Sequence, residues 1–518
     1  MIFTKKLLVA ATLSATFLMS CTEEVQELEA TIQGVDSQLE IANRIPQKFK
    51  KSNFYTAPIG VSRVQFTGTT TGDLNRLINQ QSDENGPGVI IEIPKANYRW
   101  NRVVLKSNIH LEIEGQTKII FDGTRGSVFS IGASKNGSRL KNISISGKNK
   151  QKFTVDISAD NLVNQNVNVL KIGRVDNFRF GDINIKDRRS SVNSIVLVHV
   201  PGASENRPGP KDGVIENIRQ TGAHTGYGLV QTYNAENVLF TKISCEGGIT
   251  LRMETDDKGM KNELKDRAKE GGIKDIFAYD IKNNNGLCAV MFSPHFVENG
   301  KVTVEKVSAV GSAFAVRIEK GFLELFDKNR RFPLTQAGQR DFRNFIQNQF
   351  PNISGSALSG NPYKRNNGTQ WATRLSSEAS LAPRNTYVTD QLGNGLKAGY
   401  FTNSKVSDIR AVYQNDGGAK IKQGHLKFIP CDLWNNDVKN PGTSLSMFNG
   451  FEYHGPSVSL SIDNTNNTNG GGNYKVRLSK LKFNRFPNGF TKNIKLNTTA
   501  ACNNNVNTIQ NYNANFPN

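Results

Sequence analysis

Cysteine is scarce in this chain of 518 residues, which contains five. None of the five has the Cys-x-x-Cys spacing that is typical of structural zinc sites, so a zinc-stabilised fold is not expected. Cys245 and Cys288 lie in apolar, strand-like surroundings, which predicts two small buried side chains. Cys431 and Cys502 are the remaining candidates for a disulfide bond in an oxidising compartment.

Acidic side chains are outnumbered: the chain has 45 Asp and Glu against 65 Lys and Arg, and its net charge is +20. This excess favours an anionic partner, for which nucleic acid, an anionic membrane and an acidic polysaccharide are the candidates. The sequence lacks the dense Lys/Arg block that is typical of nucleic-acid-binding tails. Its cations are spread along the chain, as on an extended binding surface, so we expect an acidic polysaccharide and no nucleic acid.

Long hydrophobic runs are also missing, and no segment is long enough to cross a bilayer. The short apolar run Leu7–Met19 follows Lys5 and Lys6, which predicts a secretory signal over residues 1–20. Its end, Leu-Met-Ser followed by Cys21, resembles a bacterial lipobox. The resemblance implies that Cys21 is acylated and that only this lipid holds the mature protein on the outer membrane, unless the protein is released. The acidic residues Glu23, Glu24, Glu27 and Glu29, with Thr22, resemble the tether of surface-exposed lipoproteins in some Gram-negative bacteria, which implies the cell surface. The alternative is an ordinary signal peptide followed by a chance cysteine.

Glycine is frequent instead, with 46 residues, and asparagine-rich turns separate short apolar segments, which indicates a β-rich protein. After a polar tether at residues 21–58, Gly72–Ile78 predicts a short amphipathic helix with Asp73 as its N-cap. A run of strands follows, with Pro94 at the end of the first and Tyr98 close behind it. This order resembles the N-terminal cap of right-handed parallel β-helix proteins of the pectin-lyase type, in which a helix covers one end of the core.

A repeat of short apolar pairs follows the cap. In each pair an apolar residue stands three positions before an Ile or a Val, and turns rich in Asn, Asp or Gly follow most pairs: Leu140/Ile143, Phe180/Ile183, Ile215/Ile218, Phe240/Ile243, Ala278/Ile281, Val304/Val307 and Val406/Ile409. Two intervals, from Ile218 to Ile243 and from Ile281 to Val307, are 25 and 26 residues. This period is typical of solenoids, in which stacked rungs bury one continuous core. We therefore predict an all-β fold, a right-handed parallel β-helix over residues 59–319, with an irregular β-sandwich as the alternative.

The interval from Val307 to Ile409 is 102 residues, which is too long for one rung. We therefore predict an inserted, partly helical domain at residues 320–400. A last rung is expected at residues 401–416, where the β-helix would end. Residues 417–518 are then predicted to form a small β-rich C-terminal region.

The predicted insertion carries a helical pattern and many cations. Gln339–Phe350 places Phe342, Phe345 and Ile346 on one face, which predicts an amphipathic helix. Nine of its basic residues are Lys328, Arg330, Arg331, Arg340, Arg343, Lys364, Arg365, Arg374 and Arg384. A basic module beside a groove indicates a lid over a polyanion, and the alternative is a solvated appendage.

The segment Ile249–Asp256 contains the candidate catalytic groups. Its residues alternate strictly between two sides, a period of two that predicts a half-buried strand with Arg252, Glu254 and Asp256 on the exposed face. At about 3.3 Å per residue, Glu254 and Asp256 are about 6.6 Å apart along the backbone. Inverting glycosidases hold two carboxyl groups about 6.5–9.5 Å apart, which leaves room for a water molecule, and retaining enzymes about 5–5.5 Å. The alternative is a solvated outer face with ordinary charges.

Outward residues of the neighbouring rungs are expected beside these carboxylates, because equal positions of successive rungs lie about 4.8 Å apart. They are Tyr227, Gln231 and Tyr233 on the preceding rung, and Ser293, His295, Arg317 and Glu319 on the two that follow. Aromatic rings such as Tyr227 and Tyr233 stack on sugars, amides bond hydroxyl groups or water, and arginines bind sulfate in a bidentate manner. A structural role is the alternative for Gln231, as a rung-to-rung ladder, and for His295, as a buried histidine.

The sequence Arg252-Met253-Glu254-Thr255-Asp256, with a glutamine on the preceding strand and a later Ser-Pro-His, resembles the iota-carrageenases of glycoside hydrolase family 82. The resemblance extends over residues 60–480. It implies an inverting, endo-acting hydrolase of the β-1,4 linkages of iota-carrageenan, a doubly sulfated galactan. It also implies residue roles: Glu254 as general acid, Asp256 as general base, Gln231 holding the water or an ion, His295 assisting there, and Arg252 and Arg317 binding sulfate. From the residues alone, the roles of the two carboxylates are exchangeable.

We expect a monomer that requires no cofactor. Asp257 and Glu263 are a candidate Ca²⁺ pair, although their spacing lacks an EF-hand pattern, and an ion in the active site is the other candidate. Two other functions are compatible with the fold. A polysaccharide lyase would need an acidic cluster for Ca²⁺ and an Arg or Lys base, whereas a glycan-binding surface lipoprotein would need the aromatic and arginine side chains without the carboxylate pair.

Overall fold

A computed structural model describes residues 45–134, 137–255, 271–294, 297–319, 335–349 and 399–414, and, nearer the C-terminus, residues 419–421, 425, 429, 438–439, 451–453, 455, 457–460, 476–486 and 494–496. The predicted signal, Cys21, Cys431 and Cys502 lie outside these residues. In the part of the chain that is described, no helix is long and apolar enough to span a membrane. The chain divides into two compact units, Met1–Asn53 and Phe54–Asn518. The first contains two short 3-10 helices, Gln47–Phe49 and Lys51–Asn53.

Parallel strands form most of the second unit. Among the described residues the larger sheet has fourteen strands: β1 (Ser62–Gln65), β2 (Val89–Ile93), β3 (Asn97–Trp100), β5 (Ile109–Ile113), β6 (Lys118–Phe121), β8 (Leu140–Gly147), β9 (Phe153–Ile157), β11 (Val175–Asp187), β13 (Lys211–Thr221), β15 (Asn234–Glu246), β17 (Gly272–Asn284), β20 (Val302–Val310), β23 (Ser404–Val412) and β28 (Val476–Asn484). We call it sheet A.

A second parallel sheet, sheet B, carries the candidate site. Its strands within the described ranges are β4 (Val103–Val104), β7 (Gly126–Ile131), β10 (Val167–Ile172), β12 (Ile195–Leu197), β14 (Gly228–Thr232), β16 (Ile249–Glu254), β18 (Cys288–Ser293), β21 (Phe314–Ile318), β27 (Ser457–Leu460) and β29 (Ile494–Leu496). The chain alternates between sheets A and B, so each rung contributes to both. The predicted right-handed parallel β-helix is confirmed.

The predicted repeat pairs occupy equivalent positions on successive rungs. Two columns run through sheet A and are buried in one continuous core: Phe180, Ile215, Phe240, Ala278, Val304 and Val406, and Ile183, Ile218, Ile243, Ile281, Val307 and Ile409. The first predicted pair is out of step, since Leu140 and Ile143 pair with Val175 and Phe178. A short 3-10 turn divides that rung into β8 and β9, and Ile145 takes the place opposite Phe180.

Left-handed residues bend the long strands of sheet A at two columns. The first has φ angles of 52–57° and the second of 52–62°: Asn142, Asn177, Asp212, Asn237 and Asp275, and Asp182, Asn217, Lys242, Asp280, Lys306, Asp408 and Lys480. Asn and Asp are frequent because their short polar side chains tolerate this conformation. They also bond between rungs, as where Asn237 Nδ2 donates to Asp212 Oδ1 at 2.7 Å. These residues are therefore single-residue bends before and inside the apolar pairs, and they are separate from the turns that were predicted to follow the pairs.

Helix α1 (Thr71–Gln81) lies at the N-terminal end of the β-helix and is longer than predicted. Its N-cap is Thr70 and not Asp73, because the two residues form a reciprocal capping box. Thr70 Oγ1 accepts the Asp73 N–H at 3.1 Å, and the Asp73 carboxylate accepts the Thr70 N–H at 3.1 Å. Leu74 and Ile78 are fully buried in the core of the β-helix. The helix therefore covers the end of the core, as the cap pattern predicted.

The β-helix extends beyond residue 416, so the predicted position of its last rung is wrong. β28 pairs with β23, and Leu478 and Leu481 continue the columns of Val406 and Ile409. In sheet B, β27 pairs with β21 and β29 pairs with β27. The repeat was hidden because a long stretch of sequence separates β23 from β28. Within that stretch, β24 (Lys420–Ile421), β25 (Val438–Lys439) and β26 (Phe451–Tyr453) form a small antiparallel sheet.

Helix α2 (Gln336–Gln349) lies in the predicted insertion. It begins three residues before the predicted start at Gln339, while the side chains of Phe342, Phe345 and Ile346 lie outside the described part. At the end of the predicted insertion, β22 (Tyr400–Phe401) forms a short parallel pair with β19 (Glu298–Asn299). The domain limits of residues 320–400 stay a prediction.

Two further details bear on the predicted boundaries and cysteines. The second unit begins at Phe54, inside the predicted tether, and Phe54 is buried with its ring centroid 5.0 Å from that of Phe277. Cys245 and Cys288 are free and buried, as predicted. Burial raises the pKa of the Cys288 thiol to about 12, so this thiol stays protonated and unreactive.

Candidate active site

The outward residues of sheet B form columns along one face of the β-helix. Gln231 on β14 pairs with Arg252 on β16, which pairs with Met291 on β18, and Met291 pairs with Arg317 on β21. Glu254 pairs with Ser293 in the same way. Between them, Leu251 and Met253 are fully buried and belong to the core. The predicted alternation of β16 is therefore confirmed over its described residues.

Arg252 and Glu254 form an ion pair at the end of β16. Arg252 Nη2 lies 2.5 Å from Glu254 Oε2, and the two side chains are 14% and 18% exposed. Arg252 Nη1 donates to the Gly226 carbonyl at 2.8 Å, and the guanidinium lies 5.7 Å from the centroid of the Tyr227 ring. A largely desolvated guanidinium thus neutralises the Glu254 carboxylate, and the preceding rung fixes the orientation of Arg252.

Gln231 is bonded to the main chain of β16. Its side chain is almost completely buried, and Nε2 donates to the Glu254 carbonyl oxygen at 2.5 Å. This contact between rungs is of the kind expected from the ladder interpretation. It also fixes the backbone of Glu254. The contact is therefore compatible both with a positioning role for Gln231 and with a role beside the reacting atoms.

Arg317 and Glu319 repeat the arrangement of Arg252 and Glu254 two rungs further on. Arg317 Nη2 lies 2.9 Å from Glu319 Oε1, and Ser293 Oγ donates to Glu319 Oε2 at 2.7 Å. The Arg317 side chain is only 4% exposed, and Nη2 also lies 3.1 Å from the sulfur of Met291. Arg317 is on the predicted face, but it lies beneath its neighbours and is far less exposed than an outward arginine was expected to be.

The two predicted tyrosines are half-buried and have different surroundings. The ring of Tyr227 lies between Arg252 and the buried His224, whose ring centroid is 5.0 Å away. Tyr233 packs against an apolar cluster of Val196, Val198 and Val200. Tyr227 is therefore part of the Arg252 environment, whereas Tyr233 borders an apolar part of the same face.

Two known proteins are similar to this chain over almost its whole length. It is 39% identical over 514 residues to an iota-carrageenase of Zobellia galactanivorans, an alignment that covers 96% of this chain and 96% of the relative. It is 33% identical over 473 residues to an iota-carrageenase of Alteromonas macleodii, with 88% of this chain and 90% of the relative covered. The chain belongs to the iota-carrageenase family, glycoside hydrolase family 82. The resemblance that the motif on β16 indicated is thereby confirmed.

A solved iota-carrageenase structure, in complex with iota-carrageenan fragments, has the same fold as this chain. The TM-score is 0.66 and the identity 26%, and the match covers 88% of this chain and 96% of the other. No family model matches the sequence. The β-helix fold is thus shared with an iota-carrageenase whose structure contains iota-carrageenan fragments.

Several of the predicted site residues lie outside the described residues. They are Asp256, His295 and the candidate Ca²⁺ pair Asp257 and Glu263. The separation of the two candidate catalytic carboxyl groups therefore stays a prediction, although Glu254 lies on β16 as predicted. Across the described ranges, no group of three or more His, Cys, Asp or Glu side chains is arranged to hold a metal ion.

The sequence reasoning missed three groups at this face. Met291 contacts Arg317, and its place follows from the alternation of β18, which puts it in the column of Arg252. His224 supports Tyr227 from a turn that has no periodic pattern. Asn299, which bonds to the residue after Glu254, is 45 positions from Glu254 in sequence, and no motif marks it.

Proposed function

We propose that the protein is an endo-acting glycoside hydrolase that cleaves the β-1,4 linkages of iota-carrageenan with inversion at the anomeric carbon. The observation that carries the proposal is the desolvated Arg252–Glu254 pair on the groove face, in a chain that is 39% identical to an iota-carrageenase. The substrate is inferred from the names of the relatives. The carboxyl group and the cation lie side by side on β16.

Glu254 is the proposed general acid, which donates a proton to the glycosidic oxygen as the bond breaks. An ion pair with arginine favours the ionised carboxylate, so Glu254 has to leave Arg252 before it can hold a proton. A substrate sulfate is a competing anion for the same guanidinium. Sulfate binding to Arg252 would thus release Glu254 at the moment when the glycosidic bond arrives.

Asp256 is the proposed general base. It would take a proton from a water that attacks the anomeric carbon from the face opposite Glu254, which inverts the configuration. Gln231 and His295 would hold this water or an ion beside it. Because Gln231 Nε2 is bonded to the Glu254 carbonyl, the same residue also fixes the acid relative to the preceding rung.

Substrate binding would combine sulfate and sugar contacts. Arg252 and Arg317 are the proposed sulfate ligands, Tyr227 and Tyr233 the proposed sugar contacts, and the basic insertion at residues 320–400 the proposed lid. The net charge of +20 agrees with a polyanionic substrate.

We propose a monomer that needs no added cofactor. Its activity should therefore survive dialysis against EDTA. A loss of activity after dialysis would instead indicate a structural or active-site cation.

The proposed location is the cell surface, with a lipid on Cys21 as the only attachment to the outer membrane. The Leu-Met-Ser-Cys sequence that ends at Cys21 supports it. Cys21→Ser should move the protein from the membrane fraction to a soluble fraction. Retention of the variant in the membrane fraction would exclude this anchor.

Product analysis tests the proposed reaction. The protein should release new reducing ends from purified iota-carrageenan, and proton NMR of the earliest products should show the α-anomer before mutarotation. Products that absorb in the ultraviolet through an unsaturated sugar would indicate a lyase, and an initial β-anomer would indicate retention. Binding without cleavage would indicate a glycan-binding lipoprotein.

A further inference from the structure

We infer that Thr255 and Asn299 form a positioning pair that holds the catalytic end of β16 in place for the reaction. Thr255 follows Glu254 directly and precedes Asp256 in sequence. Its side chain is fully buried, and its Oγ1 accepts a hydrogen bond from Asn299 Nδ2 at 3.0 Å. The inference rests on the proposed function, because it assigns these two residues to the placement of the proposed acid and base.

Thr255 is bonded to the following rung at two points. Its main-chain N–H donates to the Ser293 carbonyl at 3.2 Å, and its hydroxyl donates to the Pro294 carbonyl at 3.4 Å. Pro294 is the residue before His295. The Thr255 hydroxyl is thus the point at which the strand of the proposed acid meets the segment that leads to His295.

Asn299 uses both ends of its amide to join separate parts of the chain. It is fully buried, and its Nδ2 donates to Thr255 Oγ1 and to the Val297 carbonyl, each at 3.0 Å. Its Oδ1 accepts the main-chain N–H of Ile273 at 3.0 Å. Thr255 and Ile273 lie on either side of the sequence that contains Asp256, so one side chain bonds to the chain before and after it.

The backbone of Gly272 packs closely against the Asn299 amide. Gly272 has a φ of 73°, and a Cβ at this position would lie 2.5 Å from Asn299 Oδ1. A residue other than glycine would therefore be strained and would displace the amide. The glycine allows the backbone of β17 to come close enough for Ile273 to donate to Asn299.

The main chain of Asn299 and Val297 is bonded to the chain that returns from the predicted insertion. Thr402 N–H donates to the Asn299 carbonyl at 3.1 Å, and Tyr400 N–H to the Val297 carbonyl at 3.2 Å. A Cβ on Gly399 would lie 2.4 Å from the Val297 nitrogen and 2.6 Å from the Pro294 oxygen. Asn299 thus links the end of the insertion to the residue between the two proposed catalytic carboxylates.

A shift of a catalytic group by about 1 Å can cost about 10²-fold in rate, even when it begins far from the reacting atoms. Thr255→Val removes the hydroxyl and leaves the Asn299 amide without this partner, so it should lower kcat about 10- to 100-fold while KM changes less than about twofold. Thr255→Ser keeps the hydroxyl and should retain kcat within about threefold.

The other end of β16 offers a matched control. Thr250 is also fully buried, and its Oγ1 accepts a hydrogen bond from Asn283 Nδ2 at 3.0 Å. Thr250→Val therefore removes the same kind of bond from the same strand, but four residues before Glu254. It should lower the melting temperature about as much as Thr255→Val and leave kcat within about twofold of the wild type.

A double-mutant cycle completes the test. If Thr255 and Asn299 act through one bond, Asn299→Ala should add little to the kcat loss of Thr255→Val. Three results would overturn the inference. They are equal kcat losses in Thr255→Val and Thr250→Val, equal kcat losses in Thr255→Val and Thr255→Ser, and a rise in KM without a fall in kcat. If Thr255→Val does not fold, Asn299→Ala is judged by the same kcat criterion. Absence of hydrolysis by the wild type would refute the proposed function instead, which keeps the two failures apart.

Discussion

At the scale of single residues, the outward face of sheet B contains two arginines that are each held by a carboxylate. Arg252 and Arg317 are both largely buried, and each lies within 3 Å of the glutamate two positions later in sequence. A buried arginine is stable only when it is paired, so each glutamate keeps its arginine in place. We propose that the pairs are preformed sites, which a sulfate group of the substrate would enter by exchange.

Arg252→Gln should lower kcat/KM by at least about 30-fold, because the loss of one partner of a buried charge pair costs about 2–5 kcal/mol. Arg252→Lys should also be strongly impaired, since one ammonium group cannot reproduce the fork that bonds Gly226 and Glu254 together. Arg99→Gln is the control, because the Arg99 side chain is 69% exposed. Initial rates on iota-carrageenan give the comparison, and an Arg252→Gln enzyme with more than a tenth of the wild-type kcat/KM would exclude the role.

His110 is a second residue whose burial has a measurable consequence. It is 3% exposed, a ring nitrogen lies 3.0 Å from Ser144 Oγ, and burial lowers its pKa from 6.5 to about 4. The unfolded chain therefore binds a proton that the native state does not bind between these pH values. The stability that the neutral histidine contributes is fully present above pH 6.5 and is lost as the pH falls towards 4, by up to about 3 kcal/mol.

His110→Asn should remove this dependence. The difference in the free energy of unfolding between the wild type and the variant, from urea titrations at pH 7 and pH 4.5, should shift in favour of the variant at the lower pH. The wild type has to be compared with the variant, because Asp187 also titrates in this range. Burial raises the pKa of Asp187 to about 6, so its contribution to stability increases as the pH falls, which is opposite to the effect of His110. A difference that is constant with pH would contradict the assignment.

At the scale of elements, the rungs are specified by two kinds of column. Apolar columns such as that of Ile218 and Ile243 place one residue per rung in the core, and the left-handed columns place the bends. A strand of sheet A is therefore straight only between its left-handed residues. This is why Asn and Asp recur at fixed positions before and inside the apolar pairs.

Asn237 lets the two contributions of a bend be separated. It has a φ of 52°, and its Nδ2 donates to Asp212 Oδ1 at 2.7 Å. Asn237→Gly loses only the hydrogen bond, whereas Asn237→Ala also places an ordinary side chain in the left-handed region, at a cost of about 1–2 kcal/mol. Melting temperatures should fall in the order wild type, Asn237→Gly, Asn237→Ala, and an alanine variant as stable as the glycine variant would show that the bend carries no strain.

Sequence reasoning finds the elements where local pattern and fold agree. The alternation of β16 and the spacing of Phe240 and Ile243 follow from periods that the strands themselves impose. The early pair Leu140 and Ile143 is displaced because a turn inside the rung shifts the count. The last rungs were not predicted, because Leu478 lies far in sequence from Val406 and a repeat is recognised only while its period is kept.

At the scale of the whole molecule, the candidate site joins residues that only the fold brings together. Gln231, Arg252 and Arg317 come from three rungs, and their column could be predicted because rungs stack at equal positions. Asn299 could not be predicted, because it reaches Thr255 through a short strand that pairs with the chain after the insertion. Its position depends on tertiary contacts and has no local signal.

The domain order suits a polysaccharide substrate. The β-helix provides a long face with one position per rung, and the insertion leaves it after β21 and returns at β22, beside the end of β16. A polymer along the columns of sheet B would therefore lie near both the proposed acid and the stem of the insertion. β19 therefore links the end of the proposed lid to the end of β16, because it pairs with β22 and its Asn299 is bonded to Thr255.

Hydrolysis by Glu254→Gln is the most direct test of the central claim, that Glu254 donates the proton within this groove. The substitution keeps the shape of the side chain and removes its acid function. Reducing-end release from iota-carrageenan should fall by at least about 10³-fold, while the affinity for the polymer stays within about tenfold of the wild type. Kappa-carrageenan is the substrate control, and neither protein should release reducing ends from it at a comparable rate. A Glu254→Gln protein that binds and still cleaves iota-carrageenan at a rate near that of the wild type would contradict the account.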